Sequence, residues 1–127
     1  MSSNPGPLIS IQNDFAARSA ASKSFQVDAA ALAAALRREI RGEVRFDNGS
    51  RALYATDGSN YRQVPIGVVL PRDTDDVIAT VALSRQFGAP ILSRGAGTSL
   101  AGQGCNVAVV IDFSKYVHQI LAARGLA

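Results

Sequence analysis

The stretch SRGAGTSLAGQGC, residues 93–105, sets four glycines, two serines and a threonine between apolar runs. Gly95, Gly97, Gly102 and Gly104 free the backbone to adopt positive φ and let another group approach it closely. Thr98 and Ser99 add short hydroxyl donors. Backbone N–H groups and hydroxyls without acidic neighbours suit one chemistry above others, the binding of an anion such as a phosphate.

Three phosphate-cradling devices compete for this loop. The dinucleotide fingerprint GxGxxG begins at Gly95-Ala96-Gly97, but Leu100 stands at its third glycine. That fingerprint must also open a helix whose N-terminus faces the pyrophosphate. Only Cys105, Asn106 and Val107 separate Gly104 from the apolar run AVVID, so the sequence leaves no room for a helix. The P-loop GxxxxGK[ST] has its glycine spacing at Gly97 and Gly102, but Gln103-Gly104 replaces the lysine and hydroxyl that it needs. The third device is a strand-to-strand loop whose successive N–H groups curl into an anion nest. Residues 94–104 meet its demands, and each charge-assisted bond would contribute about 1.5–3 kcal/mol. A tight connection with no ligand would use the same residues. Thr98 and Ser99 would then cap a turn, and Arg94 would be a solvated charge or pair with an acidic neighbour.

The elements that must hold the loop follow from the pattern around it. VDAAALAAALRREI predicts a helix capped by Asp28, with Leu32, Leu36 and Ile40 on one face, ending near Gly42. EVRF predicts a short strand at 43–46, followed by the turn DNGS. Ser50 is expected to cap one or two helical turns reaching Thr56, and Asp57-Gly58-Ser59-Asn60 breaks them. IGVVL is an apolar strand stopped by Pro71. TDDVIATVALSRQFG predicts a helix capped by Thr74 or Asp73, with Val77, Val81 and Ser84 on its inner face and Ile78 and Ala82 widening it. APILS and NVAVVIDFS are further strands, and KYVHQIL is expected to open a new element. Strand, helix and strand from VVL to PIL read as a βαβ unit with a parallel pair. The fold class expected is α+β with an α/β-like core: a small, partly parallel sheet flanked by helices.

Composition bounds the rest. The chain has 127 residues, 47% of them hydrophobic and 18% charged, enough for one globular domain or part of one. A net charge of +3 suits an anionic ligand but is too weak and dispersed for nucleic acid. The single cysteine and single histidine exclude an internal disulfide, a cysteine metal cluster and a multi-histidine site built from this chain alone. Cys105 reads as a small packing residue, and His118 as packing or surface. Residues 1–26 read as a flexible leader, with Ile9, Ile11 and Phe15 available to dock on the body. No apolar run reaches the length of a membrane span and no signal peptide is visible. The expected setting is cytoplasmic, compatible with a peripheral place at the inner membrane face.

The run from YATDGSNYRQVPIGVVLP through RGAGTSLAGQ to VVIDFS resembles the FAD-linked oxidases with a PCMH-type, vanillyl-alcohol-oxidase-like flavin domain. Within them it is most similar to the glycolate oxidase flavin subunit and the D-lactate or D-2-hydroxyacid dehydrogenases. The resemblance covers about residues 43–120. It implies that residues 27–127 are the N-terminal part of such a domain, incomplete at the C-terminus, and that the chain is a fragment of an FAD-dependent oxidoreductase acting on an α-hydroxy acid. It further implies that Gly95, Ala96, Gly97, Thr98 and Ser99 bind the FAD pyrophosphate. Gly102 would allow close passage of the chain and Pro71 would border the adenine end, with Arg94 as a counter-ion and Gln103 beside them. Relatives that attach flavin covalently use a histidine in this loop. Gly97-Thr98-Ser99 has none, so non-covalent FAD is expected. No catalytic base, substrate pocket or iron–sulfur cysteine cluster is present, so any such cluster would belong to further sequence. Tyr54, Tyr61 and Arg62 read as contacts covering the sheet. A stand-alone nucleotide- or anion-binding module without catalysis is the alternative.

Overall fold

The computed structural model describes residues 26–123. The leader and its Ile9, Ile11 and Phe15 lie outside the described residues. Helix α1, Ala29–Glu39, starts where the Asp28 carboxylate accepts the Ala31 N–H at 3.0 Å. Its Leu32 and Leu36 are fully buried. At Gly42 the chain passes so close to Leu70 that an added Cβ would collide with the Leu70 carbonyl oxygen. Only glycine fits there, and the chain then enters β1, Glu43–Arg45.

Helix α2, Asn48–Leu53, is capped by Asp47 and not by Ser50, as the sequence suggested. Ser50 instead donates its N–H to the Asp47 carboxylate at 2.8 Å. Aspartate at the position immediately before the first turn competes better for the orphan donors than a serine inside it. Strand β2, Gly67–Leu70, is followed by α3, Thr74–Gln86, whose cap is Asp73. Strands β3, Ile91–Arg94, and β4, Val109–Asp112, complete the sheet. After β4 a turn at 114–116 leads into chain without a helix or strand as far as residue 123, so KYVHQIL opens no new element among the described residues.

The strands lie in the order β1-β2-β4-β3, with β1 antiparallel to β2 and both β2 and β3 parallel to β4. The strands of the expected βαβ unit are thus not neighbours, because β4 lies between them. The reason is burial. All four residues of β4 are buried, whereas Ile91 and Ser93 of β3 are exposed, so the fully buried strand takes the centre and the alternating one the edge. Val69 and Val109 face α1 with Leu32, Leu36 and Ile40, while Val68, Leu70 and Val110 face Tyr54, Leu92 and Tyr116.

Helix α3 is rotated from its expected orientation. Asp76, Thr80 and Ser84 are buried, and Ala79, Leu83 and Phe87 meet the core, while Ile78 is 61% exposed and Val81 38% exposed. Asp76 sets this rotation. Its carboxylate accepts the N–H groups of Arg41, Gly42 and Arg72 at 2.8–3.0 Å, tying the α1–β1 turn to the end of β2. Desolvation raises its carboxyl, but the three N–H bonds outweigh that and hold it below the usual aspartate range. Among the described residues no helix is long and apolar enough to cross a membrane.

Candidate functional site: the glycine loop at the carboxyl edge

Because β2, β4 and β3 run parallel, Pro71, Phe113 and Gly95 all follow strand ends along one edge of the sheet. Open α/β sheets bind ligands at that carboxyl edge. The glycine loop leaves β3 there and returns to β4 through residues 95–108 without a helix, as its spacing required. A cavity of about 880 Å³ lies at the other edge, where Ile66, Pro90 and Val107 precede the strands. It shares no residue with the loop's glycines.

The loop is braced at its start by Arg94. The guanidinium donates to the carbonyls of Gly104 (2.7 Å), Thr56 (2.8 Å) and Tyr54 (3.2 Å), and it lies 5.1 Å over the Tyr54 ring. It makes no ion pair among the described residues. Neither a solvated charge nor an acidic partner describes it. Tyr54 in turn donates its hydroxyl to the buried Asp112 at the end of β4, whose carboxylate also accepts from Ser114. Burial, and then the bond to Asp112, push the Tyr54 phenol up to about 12. Strand β4 and the loop are thereby tied through one tyrosine.

At its far end the loop rests on the segment Asp57–Tyr61. Asp57 accepts the Gly104 N–H at 2.8 Å through Oδ2, while Oδ1 accepts from Ser59. Two glycines are fixed by geometry. Gly97 has φ +73° and an added Cβ would stand 2.5 Å from Arg94 Nη2; Gly102 has φ +80° and its Cβ would stand 2.9 Å from the Tyr61 ring. Gly95 has open space where a side chain would project.

The sequence-derived site residues fall into two groups. Gly95, Ala96, Gly97, Thr98 and Ser99 form one continuous partly exposed run, and among the described residues their N–H groups donate to no protein acceptor. Arg94, Gly102 and Gln103 support that run from within: Gln103 Oε1 accepts the Ala101 N–H at 3.1 Å. Pro71 lies at the same edge, fully buried, and ends β2. Cys105 is buried, His118 is exposed, and Tyr61 is 64% exposed with one side of its ring against Gly102, so it does not cover the sheet as expected. Asp57 and Asp112 were not singled out by sequence. The Asp-x-Ser spacing of an Asx turn at Asp57-Gly58-Ser59 was the available signal.

Residues 65–125 match the family model for an FAD binding domain. That match takes in strands β2, β3 and β4 and the glycine loop. The D-2-hydroxyglutarate dehydrogenase of Pseudomonas putida is 37% identical over 85 residues, which are 65% of this chain and 8% of that protein. Glycolate oxidase subunit GlcD of Bacillus subtilis is 33% identical over 88 residues, 65% of this chain and 18% of that protein. The chain thus spans 8–18% of the length of these relatives. Among solved structures, Physcomitrella patens BBE-like 1 superposes with a TM-score of 0.54 at 22% identity, covering 64% of this chain and 18% of that one, which shows the shared fold.

The glycine loop fits a diphosphate such as that of FAD. Residues 94–106 include no carboxylate, the N–H groups of 95–99 have no acceptor among the described residues, and a side chain on Gly95 would project into open space. Arg94 contributes here through the loop's shape, because its guanidinium is committed to carbonyls.

Proposed function

We propose that Gly95, Ala96, Gly97, Thr98 and Ser99 hold the diphosphate of FAD. The chain would then be the nucleotide-holding part of a flavin-dependent oxidoreductase acting on an α-hydroxy acid. The reading rests on one observation: five consecutive backbone N–H groups without an acceptor among the described residues, at the carboxyl edge of the parallel strands. The hydroxyls of Thr98 and Ser99 extend the donor set. Gly102 lets the chain turn back over Tyr61, Gln103 steadies that turn, and Pro71 closes the strand beside it. Bound FAD would supply the hydride-accepting chemistry; the chain supplies position.

The relatives named for D-2-hydroxyglutarate and glycolate support a small hydroxy acid as the substrate class of the complete enzyme. No residue of this chain is assigned to proton transfer. Attachment of the flavin is non-covalent on this reading: the loop carries no histidine, and the only thiol, Cys105, is buried with its Sγ near the carbonyls of Tyr61 and Gly102. An iron–sulfur centre would require cysteines beyond the single one here. The cytoplasm, with peripheral contact at the inner membrane face, remains the proposed setting.

Titration of the 127-residue chain with FAD, followed by flavin fluorescence, tests this. Saturable one-to-one binding competed by ADP is expected, since the diphosphate is the recognised group. A folded chain that binds neither FAD nor ADP would overturn the proposal.

A further inference from the structure

The segment Asp57–Tyr61 packs against the glycine loop. Asp57 Oδ2 accepts the Gly104 N–H, and its Oδ1 is held by the Ser59 N–H at 2.8 Å and by the Ser59 hydroxyl. Gly58 abuts the loop itself: a Cβ there would stand 3.0 Å from the Ser99 carbonyl oxygen and 3.1 Å from that of Thr98. Tyr61 closes under Gly102. The Thr98–Ser99 peptide and the Ser99 carbonyl therefore lie directly against this segment.

From this arrangement we infer that Asp57 is a positioning residue for the diphosphate site. Together with Gly58, it backs the glycine loop and restricts its conformation before any ligand arrives. The inference rests on the FAD reading for the identity of the ligand, but not for the ordering of the loop. Asp57 touches no ligand atom in this role. It removes the freedom that the loop would otherwise lose on binding, and such preorganisation appears as affinity.

The test compares the 127-residue chain with Asp57→Ala, Asp57→Asn and Gly58→Ala. Two quantities are read: the affinities for FAD and ADP, and amide hydrogen exchange resolved by residue. Asp57→Ala should weaken FAD and ADP by the same factor, about tenfold, the equivalent of roughly 1.4 kcal/mol. Exchange at Gly104 should accelerate about tenfold, while exchange in β2 and β4 stays unchanged. Asp57→Asn, which keeps one acceptor oxygen, should recover part of both effects. Gly58→Ala keeps the carboxylate and presses on the two carbonyls, so it should weaken both ligands without altering Gly104 exchange, and it serves if Asp57→Ala fails to fold. Unchanged affinities in Asp57→Ala would overturn the inference. If the unsubstituted chain binds neither FAD nor ADP, the FAD reading fails by itself. Exchange then decides: acceleration at Gly104 upholds the ordering role, and no change overturns it.

Discussion

Arg94 and Gly97 stand three residues apart, and the guanidinium of the first occupies the space that a side chain on the second would need. An added Cβ at Gly97 would lie 2.5 Å from Arg94 Nη2, and the backbone there has φ +73°. The glycine is required by the loop's own brace before any ligand is considered.

Gly97→Val should therefore damage the site in two ways. A β-branched residue at positive φ costs about 1–3 kcal/mol, and its side chain would displace the guanidinium from the carbonyls of Tyr54, Thr56 and Gly104. The expected outcome is loss of measurable FAD binding by calorimetry, with a lowered thermal midpoint. Unchanged affinity would show that the loop's shape is irrelevant to binding.

Arg94→Lys separates a brace from a counter-ion. Lysine keeps the charge but cannot bond three carbonyls with a planar fork. If Arg94 acts through loop shape, the variant should lose about tenfold in FAD affinity, roughly 1.4 kcal/mol, with an unchanged dependence on salt. If it acts as a charge on the diphosphate, lysine should keep most of the affinity. Titrations at two ionic strengths decide between them.

Much of this arrangement was legible in the sequence. The glycine spacing, together with the apolar run that follows Asn106, excluded a helix, and the loop between β3 and β4 has none. The cap at Asp28, the choice of Asp73 or Thr74 at the start of α3, and the strands around VVL and VVID followed from local patterns. What could not be read were side chains that act across the fold. Asp76 sits in the first turn of α3, yet its partners lie at residues 41, 42 and 72, and they rotate α3 so that Ile78 faces outward. The order of the strands was hidden for a similar reason. Pairing of β4 between β2 and β3 depends on which strand is buried on both faces, a property of the assembled sheet. The role of Arg94 was open because its three acceptors are backbone carbonyls, which carry no sequence signature.

Acid should unfold the chain through Asp76 and Glu43. Hydrogen bonds from Lys115, Tyr116 and Arg45 lower the Glu43 carboxyl to about 2, and Asp76 also lies below its ordinary value of 3.8. Both folded values lie below the unfolded ones, so the unfolded state binds more protons as pH falls. Their stabilisation is complete above about pH 5 and is lost as pH falls through the folded values toward 2. Asp76→Asn should cost about 2–4 kcal/mol at neutral pH, because an amide cannot accept all three N–H bonds. It should also flatten the acid limb of a denaturation series. A variant as stable as the parent at pH 7 would contradict the role given to Asp76.

Ser84 points the other way. Its hydroxyl is fully buried and has no hydrogen-bond partner among the described residues. Ser84→Ala removes an unsatisfied group while keeping the small volume between helices, so stability should hold or rise by up to about 1 kcal/mol. Urea unfolding measures this, and a loss larger than about 1 kcal/mol would show that the hydroxyl has a partner.

The most direct measurement is residue-resolved amide NMR of the 127-residue chain during titration with FAD and, separately, with ADP. The account predicts that both ligands shift the amides of Gly95, Ala96, Gly97, Thr98 and Ser99 most, leaving those around Ile66, Pro90 and Val107 in place. Shifts centred on that opposite edge, with the glycine loop unmoved, would contradict it.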